Sequence, residues 1–480
     1  MFGKLPRIAI FADMKRIWLI AVMAALVGVA GCQKDPIPGP EPVDPVVEPD
    51  EPEVPDEPDE PEEPEKPVPA DLRVVYDAKD STFYERTAFA EWAYDLKDPD
   101  MTTRTFNMFL QPKCKNNNEI LHLRMKEETG AASPSWGYWD YIIHYESTDS
   151  KGQPITLSER VLFPAGDGFA HKAKGLLLVN RPTLCANAEC PTVKKDYLFG
   201  LASHDYVTVY PDLQGFGVSR ERIHPYLCAE ITARHTLDGL LAVLHFLRDR
   251  EIELQEEREL MNVGYSQGGA SALAVHKYLE NNCSDEEKEL LPLKASYCGG
   301  GPYDLQLTMK VYQETEDLAY PCALPLIILG MKEGFPDIMA GIEPEDYFTD
   351  KVVKGDVLDW TRDKEHSAAE ITSRIQGASG THQIAGMLSD KMADPSSKEY
   401  KALEAAMAAN NLVSGWMPVH PVHLCHVPND EIVPYANSEK AMEVFAGGPV
   451  SWIANFTPLM QSHVGGAAGM YLLLLDGFPE

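Results

Sequence analysis

From Trp139 onward the chain settles into regular patterns. Trp139 to Ser147 alternates apolar with polar, Ser150-Lys151-Gly152 supplies a turn, and Ile155 to Pro164 alternates again. This pattern predicts an antiparallel pair at the start of a sheet. Short, nearly continuous apolar runs follow: Gly175 to Asn180, Tyr206 to Tyr210, Leu260 to Gly264, Leu293 to Cys298, and later Val422 to Val427 and Val450 to Asn455. Runs apolar on both faces, separated by helical segments, are what a parallel sheet covered on each side requires. Leu237, Leu240, Leu241, Leu244 and Leu247 fall on one face at helical spacing, a core-packing stripe. The pattern therefore predicts an α/β protein with a mostly parallel central sheet and helices on both faces.

Between about residues 305 and 415 the strand signal vanishes and helical segments such as Lys398 to Ala409 take over. A helical insertion late in the strand series is expected to form a cap. Residues 70 to 135 are irregular, with one helix-like stretch at Thr82 to Leu96. Residues 70–480, about 410 in all, are enough for one large domain carrying an insertion.

The first residues read as an address. Met14-Lys15-Arg16 is a short positive segment and a possible start, Ile17 to Val29 is apolar, and Val29-Ala30-Gly31 places small residues before Cys32. The apolar run is shorter than the roughly 18 residues of a membrane span, so residues 1–31 are expected to be a signal peptide. The end of that segment resembles a bacterial lipobox, which implies cleavage before Cys32 and lipid on its thiol. Gln33-Lys34-Asp35 then resembles a short signal that carries lipoproteins of some Gram-negative bacteria to the cell surface. The expected location is the outer membrane, facing either the surface or the periplasm.

Residues 33–69 hold thirteen prolines and fourteen Asp or Glu against two lysines. Proline fixes φ and withholds donors while the carboxylates repel, so the segment is expected to be an extended spacer. It would reach on the order of 100 Å in polyproline geometry. The chain carries −32 overall; −12 in this spacer and +3 in residues 1–31 leave −23 for the rest. An acidic body excludes nucleic-acid binding, which needs Lys and Arg against phosphate, and electrostatic adsorption to anionic membranes. Membrane attachment is expected through lipid alone.

Eight cysteines follow Cys32. Cys185 and Cys190 share one loop and are a candidate disulfide in an exported chain. Cys298 and Cys425 sit in apolar runs as candidate buried thiols, and no Cys-x-x-Cys pair points to a metal.

The chemistry concentrates at Gly264-Tyr265-Ser266-Gln267-Gly268-Gly269, which follows one predicted buried strand and opens a helix. A serine hydroxyl is a poor nucleophile unless a base takes its proton and N–H groups hold the oxyanion. Glycines flanking a serine permit the strained strand-to-helix turn that presents it. Asp430, just past the strand Val422 to Val427, is the candidate orienting acid, with Glu431 and Asp304 as rivals. His463, after the final strand and before small residues, is the candidate base. His420, His423 and His426 precede Asp430 and break the order Ser, Asp, His. Their spacing of three suits metal ligands, yet in a strand such residues face opposite sides. The oxyanion donors are expected to be the Gln267 N–H and, from the loop after Asn180, that of Thr183 or Arg181, since Pro182 has none. This chemistry calls for no cofactor and no metal.

At these residues the chain resembles the α/β-hydrolase superfamily, and within it the secretory-lipase-like esterases and lipases. The matching segments are Gly152-Gln153-Pro154 with Val161 to Pro164, Tyr210-Pro211-Asp212-Leu213-Gln214-Gly215-Phe216-Gly217, Gly264 to Gly269, Asn429 to Pro434, and His463; together they cover about residues 140–475. The resemblance implies an α/β-hydrolase fold with a helical cap shaping acyl specificity, and the Pro211-to-Gly217 loop near the active site. Asn180-Arg181-Pro182-Thr183 departs from the His-Gly common in relatives. The expected activity is hydrolysis of a small-molecule or glycan-linked carboxylic ester through an acyl-enzyme. A serine peptidase on the same fold, or a non-catalytic binding lipoprotein, are the alternatives.

Overall fold

A computed structural model of the chain describes residues 74–76, 82–84, 137–165, 171–194, 197–455 and 462–479. The signal segment, Cys32, the acidic spacer and Cys114 lie outside the described residues.

Among the described residues, ten strands form a single sheet. They are β1 (Val74–Tyr76), β2 (Thr82–Tyr84), β3 (Gly137–Thr148), β4 (Pro154–Ala165), β5 (Ala173–Asn180), β6 (Val207–Pro211), β7 (Leu254–Tyr265), β8 (Leu293–Gly299), β9 (Val422–His426) and β10 (Val450–Asn455). Across the sheet the order is β1-β3-β4-β6-β5-β7-β8-β9-β10, with β2 also on β3. β3 and β4 pair antiparallel from Gly137↔Ala165 to Thr148↔Pro154, and β4 pairs antiparallel with β6. From β6 to β10 every pairing is parallel.

The helix expected over Thr82 to Leu96 does not begin as one. Thr82–Tyr84 is a strand paired with Tyr138 to Asp140, and the Phe83 ring packs 5.1 Å from that of Trp139. A β-branched residue followed by two aromatics suits a pleated edge, and here the neighbouring strand decides. Residues 85–96 lie outside the described residues.

Alternation along β5 shows why its run is apolar throughout. Leu176 and Leu178 face one layer, with the leucines of α1 (Ala229–Asp249) and the small face of α2 (Gln267–Asn281). Leu177 and Val179 face the other, against the 3-10 segment Tyr197–His204 and the C-terminal helix His463–Asp476. Along the expected stripe Leu237, Leu240, Leu241 and Leu247 are buried.

After β8 come α3 (Leu305–Glu314), α4 (Ala323–Gly334), α5 (Asp350–Lys354), α6 (Val357–Asp363), α7 (Ala368–Ser379) and α8 (Lys398–Ala409), with no strand longer than a single bridge. They share one apolar core with α1 and α2. Specific hydrogen bonds clamp them down. The buried Lys364 ammonium donates to the carbonyls of Arg220 at 2.7 Å and Arg222 at 2.6 Å. Asn410 donates to Leu227 O at 2.6 Å and accepts from Ala229 N at 2.7 Å. Gly330 of α4 lies directly on the loop after β6, where a Cβ would come within 2.5 Å of Tyr226 N. α9 (Ala436–Val444) and α10 (His463–Asp476) complete the chain.

The cysteines correct one expectation. Cys185 and Cys190 are separate buried thiols, with the helical turn Asn187–Glu189 between them. Cys190 turns toward the Thr192 hydroxyl at 3.7 Å, and Cys185 toward Cys322, a contact that together with burial raises its thiol pKa. Cys298 and Cys425 are fully buried thiols, and burial pushes both pKa values well up.

Candidate active site

The sheet reverses its winding between β6 and β7, with β5 between them, and in open α/β sheets ligands bind at the carboxyl ends of strands beside such a reversal. Ser266 stands there, one residue past β7, at φ 62° and ψ −126°. That conformation costs a non-glycine residue on the order of 1–3 kcal/mol. The surrounding backbone enforces it. Ser266 N donates to Gly299 O at the end of β8 at 2.9 Å, and Ala270 N returns to Ser266 O at 3.2 Å. The glycines give the elbow its compactness: a Cβ on Gly264 would meet Gly268 O at 2.1 Å, one on Gly268 would meet Asn180 O at 2.2 Å, and one on Gly269 would meet Gly299 O at 2.1 Å. Beneath lies a buried polar chain in which Asn180 Nδ2 donates to Asn262 Oδ1 at 2.8 Å and Asn262 Nδ2 to Ser296 Oγ at 2.8 Å.

Asp430 follows β9 in a tight turn, its side chain wholly buried. Oδ1 accepts the N–H groups of Ile432 at 2.9 Å and Val433 at 2.7 Å. Oδ2 accepts from His463 Nδ1 at 2.7 Å and from His426 Nε2 at 3.1 Å. Burial pushes this carboxyl toward protonation, but the hydrogen bonds and charges of His426 and His463 outweigh it and hold the pKa below the usual carboxylate range. With Nδ1 bound to a carboxylate, His463 carries its proton there and leaves Nε2 as acceptor. The His463 ring stands edge-on to Tyr265, the residue before the serine, at a centroid distance of 5.2 Å. His463 is the first residue of α10, whose N-cap Ser462 accepts from Gly465 N at 3.1 Å.

The rivals of Asp430 lie elsewhere. Glu431 accepts the backbone N–H of His463 at 2.9 Å, which pins the start of α10 rather than the imidazole. Asp304 caps α3 and pairs with Lys440 at 2.5 Å. His420 meets Glu280 at 2.9 Å, and His423 meets Ser451 Oγ at 2.9 Å. Among the described residues no group of three His, Cys, Asp or Glu has the arrangement to hold a metal ion.

Sequence reasoning missed two histidines. His426 donates from Nε2 to both Asp430 and Val433 O at 3.2 Å, so its Nδ1 accepts from Ser438 Oγ at 2.8 Å. It thus shares the Asp430 Oδ2 oxygen with His463. His224 accepts from Gln267 Nε2 at 2.8 Å, and its Nδ1 donates to Gln214 O at 2.8 Å. Burial lowers the His224 pKa to about 4, so the ring is neutral at pH 7. Gln214 in turn donates to Glu333 of α4 at 3.0 Å, which ties the residue after Ser266 to the helical insertion. A His-Pro-Tyr run ten residues after Gln214 was the available signal.

Among the described residues, the Pro211-to-Gly217 loop connects to Gln267 only through Gln214 O and the His224 ring. Its buried Asp212 accepts from Ser158 Oγ at 2.6 Å, Thr192 N at 3.0 Å and the Thr192 hydroxyl, joining that loop to the one after β5. Gln267 and Thr183 both lie beside Ser266, and neither N–H takes part in the loop and turn hydrogen bonds of the described residues. The Thr183 hydroxyl pairs with Tyr226 OH at 2.8 Å.

Sheet order, elbow and late insertion together define the α/β-hydrolase fold. Among solved structures, the rice cell wall degrading esterase LipA from Xanthomonas oryzae in a ligand-bound form is similar at TM-score 0.63 and 21% identity, over 84% of this chain and 96% of that one. A hydrolase of unassigned activity from Legionella pneumophila is similar at TM-score 0.62 and 18% identity, over 84% and 95%. No protein-family model and no curated protein matches the chain.

Proposed function

We propose that the protein hydrolyses carboxylic esters through an acyl-enzyme on Ser266. The observation that carries this reading is the single Asp430 oxygen that fixes His463 Nδ1 at 2.7 Å, beside a serine held at φ 62° on a glycine elbow. His463 Nε2 takes the Ser266 proton as Oγ attacks the ester carbonyl. The oxyanion forms against the Gln267 N–H, at the dipole-positive start of α2, with Thr183 as second donor. Collapse expels the alcohol, which receives its proton from His463, and water activated by the same nitrogen releases the acid. Asp430 keeps the imidazole in the required tautomer. The esterase name of the similar Xanthomonas oryzae structure supports an ester over a peptide bond.

A fluorophosphonate probe with panels of p-nitrophenyl esters and peptide anilides tests this reading. Labelling at Ser266, lost in Ser266→Ala, with turnover of esters is expected. Turnover of anilides alone would make the protein a peptidase, and a folded sample without labelling would leave a binding protein.

The lipobox-like Val29 to Cys32 and the acidic spacer support lipid tethering at an outer membrane, with the hydrolase domain held away from the bilayer. Membrane association in cells should be lost in Cys32→Ser.

A further inference from the structure

A narrow cavity adjoins Ser266, and its walls come from three directions. Thr183 and Tyr226 belong to the loops after β5 and β6, Tyr312 and Ile327 to α3 and α4 with Tyr320 in the segment between them, and Val433 to the turn after Asp430. No residue of α10 lines it. His463 must face the leaving oxygen in order to protonate it, so the alcohol half of an ester lies on the α10 side. This cavity is then the place for the acyl half.

The space is about 20 Å³. That is room for roughly one water-sized or methyl-sized group. Its polar wall atoms are already committed: Thr183 Oγ1 to Tyr226 OH at 2.8 Å, and Tyr312 OH to Ile432 O at 2.8 Å. What they present inward is mostly apolar. The far wall has little slack either, because α4 rests on the Tyr226 backbone at Gly330 and Cys228 Sγ donates to Gly330 O at 3.0 Å.

On the ester-hydrolase reading above, we propose that Ser266 acts on esters of the smallest acyl groups, acetyl foremost, with Ile327 and Tyr320 as the stops that exclude longer chains. A longer acyl chain would have to displace α4 from the core. Overpacking of a closed apolar site of this kind lowers kcat/KM by about 10- to 100-fold.

The test compares kcat/KM of the full chain in detergent on p-nitrophenyl acetate, butyrate, octanoate and palmitate. Acetate should exceed octanoate by about 100-fold. Ile327→Ala, which removes a buried wall side chain, should raise the octanoate-to-acetate ratio about tenfold. Tyr320→Ala serves the same purpose should Ile327→Ala not fold by circular dichroism. Octanoate turned over as fast as acetate, or a ratio unchanged in folded wall variants, overturns the proposal. Fluorophosphonate labelling separates the two failures. A labelled Ser266 with long-chain preference rejects the pocket assignment alone, and an unlabelled Ser266 rejects the hydrolase reading and the pocket with it.

Discussion

Asp430→Asn tests the site most sharply, because the two carboxylate oxygens have separate duties. Oδ1 holds the turn through two backbone N–H groups at 2.9 and 2.7 Å, while Oδ2 accepts from both histidines. An asparagine has one acceptor oxygen, and the turn claims it, since fixed backbone donors cannot change partners. The amide nitrogen then occupies the Oδ2 position and points N–H groups at His463 Nδ1 and His426 Nε2. Each imidazole can relieve the clash only by moving its proton to the other nitrogen. In the proposed mechanism that puts an N–H on the His463 nitrogen that has to accept the Ser266 proton. Loss of the correct tautomer costs about 10⁴ in kcat, or about 5.5 kcal/mol in the barrier. The assay is p-nitrophenyl acetate hydrolysis with KM determined separately, on protein whose melting curve shows it folded. A fall in kcat of less than tenfold, or a change confined to KM, would refute the argument. The folded-state pKa of Asp430 is depressed, so its contribution to stability is present above the unfolded carboxylate value near 3.8 and is lost as pH falls through the folded one.

Glu159 is fully buried beside Asp212, and neither of its carboxylate oxygens has a hydrogen-bond partner among the described residues; burial first and Asp212 second raise its pKa well above the usual value. Because the folded pKa is raised, the stability is complete below the unfolded value and falls by about 1.4 kcal/mol per pH unit from there up to the folded one. Glu159→Gln should therefore raise the melting temperature more at pH 8 than at pH 5, and equal shifts would contradict this. His224→Phe removes the acceptor that holds the Gln267 side chain, so kcat should fall about tenfold or more with KM little changed; His224→Gln should recover part of it. Lys364→Met leaves the carbonyls of Arg220 and Arg222 without their buried donor, a loss of about 2–3 kcal/mol. Hydrogen exchange in residues 305–415 should accelerate, and an unchanged exchange pattern would show that the clamp is unimportant.

Strands buried on both faces were the most legible part of the chain. From β5 to β9 the apolar runs are buried almost throughout, and that signal is local; β10, at the sheet edge, is only half-buried and carries an exposed Ser451. The first half of β7 was not legible: Gln255 to Glu257 is polar and exposed, and only the second half carries the apolar signal. Thr82–Tyr84 read as helix for the same reason in reverse, since three residues take their conformation from β3 across more than fifty positions. The chain order Ser266, Asp430, His463 placed three groups that the fold brings to the strand ends. What bonds they make was not readable. Glu431 and Asp430 are neighbours in sequence, yet one binds the main chain of His463 and the other its ring. His426 and His224 gain meaning only from partners that tertiary packing supplies. The cysteines failed similarly, because proximity in a loop says nothing of which way each thiol turns.

The glycine elbow at Ser266 has a consequence for how the proposed activity would be acquired. Its glycines touch the ends of β5 and β8 backbone to backbone, and Ser266 keeps an unfavourable φ only while those strands flank it. A chain with an unfinished sheet has nothing to hold the serine in that state, and it relaxes to an ordinary, unreactive conformation. If Ser266 is the nucleophile proposed above, its reactivity is expected to appear only once β5 and β8 flank it. Acquisition of fluorophosphonate labelling during refolding would serve as a clock for closure of the central sheet, and a partly folded chain would be chemically silent.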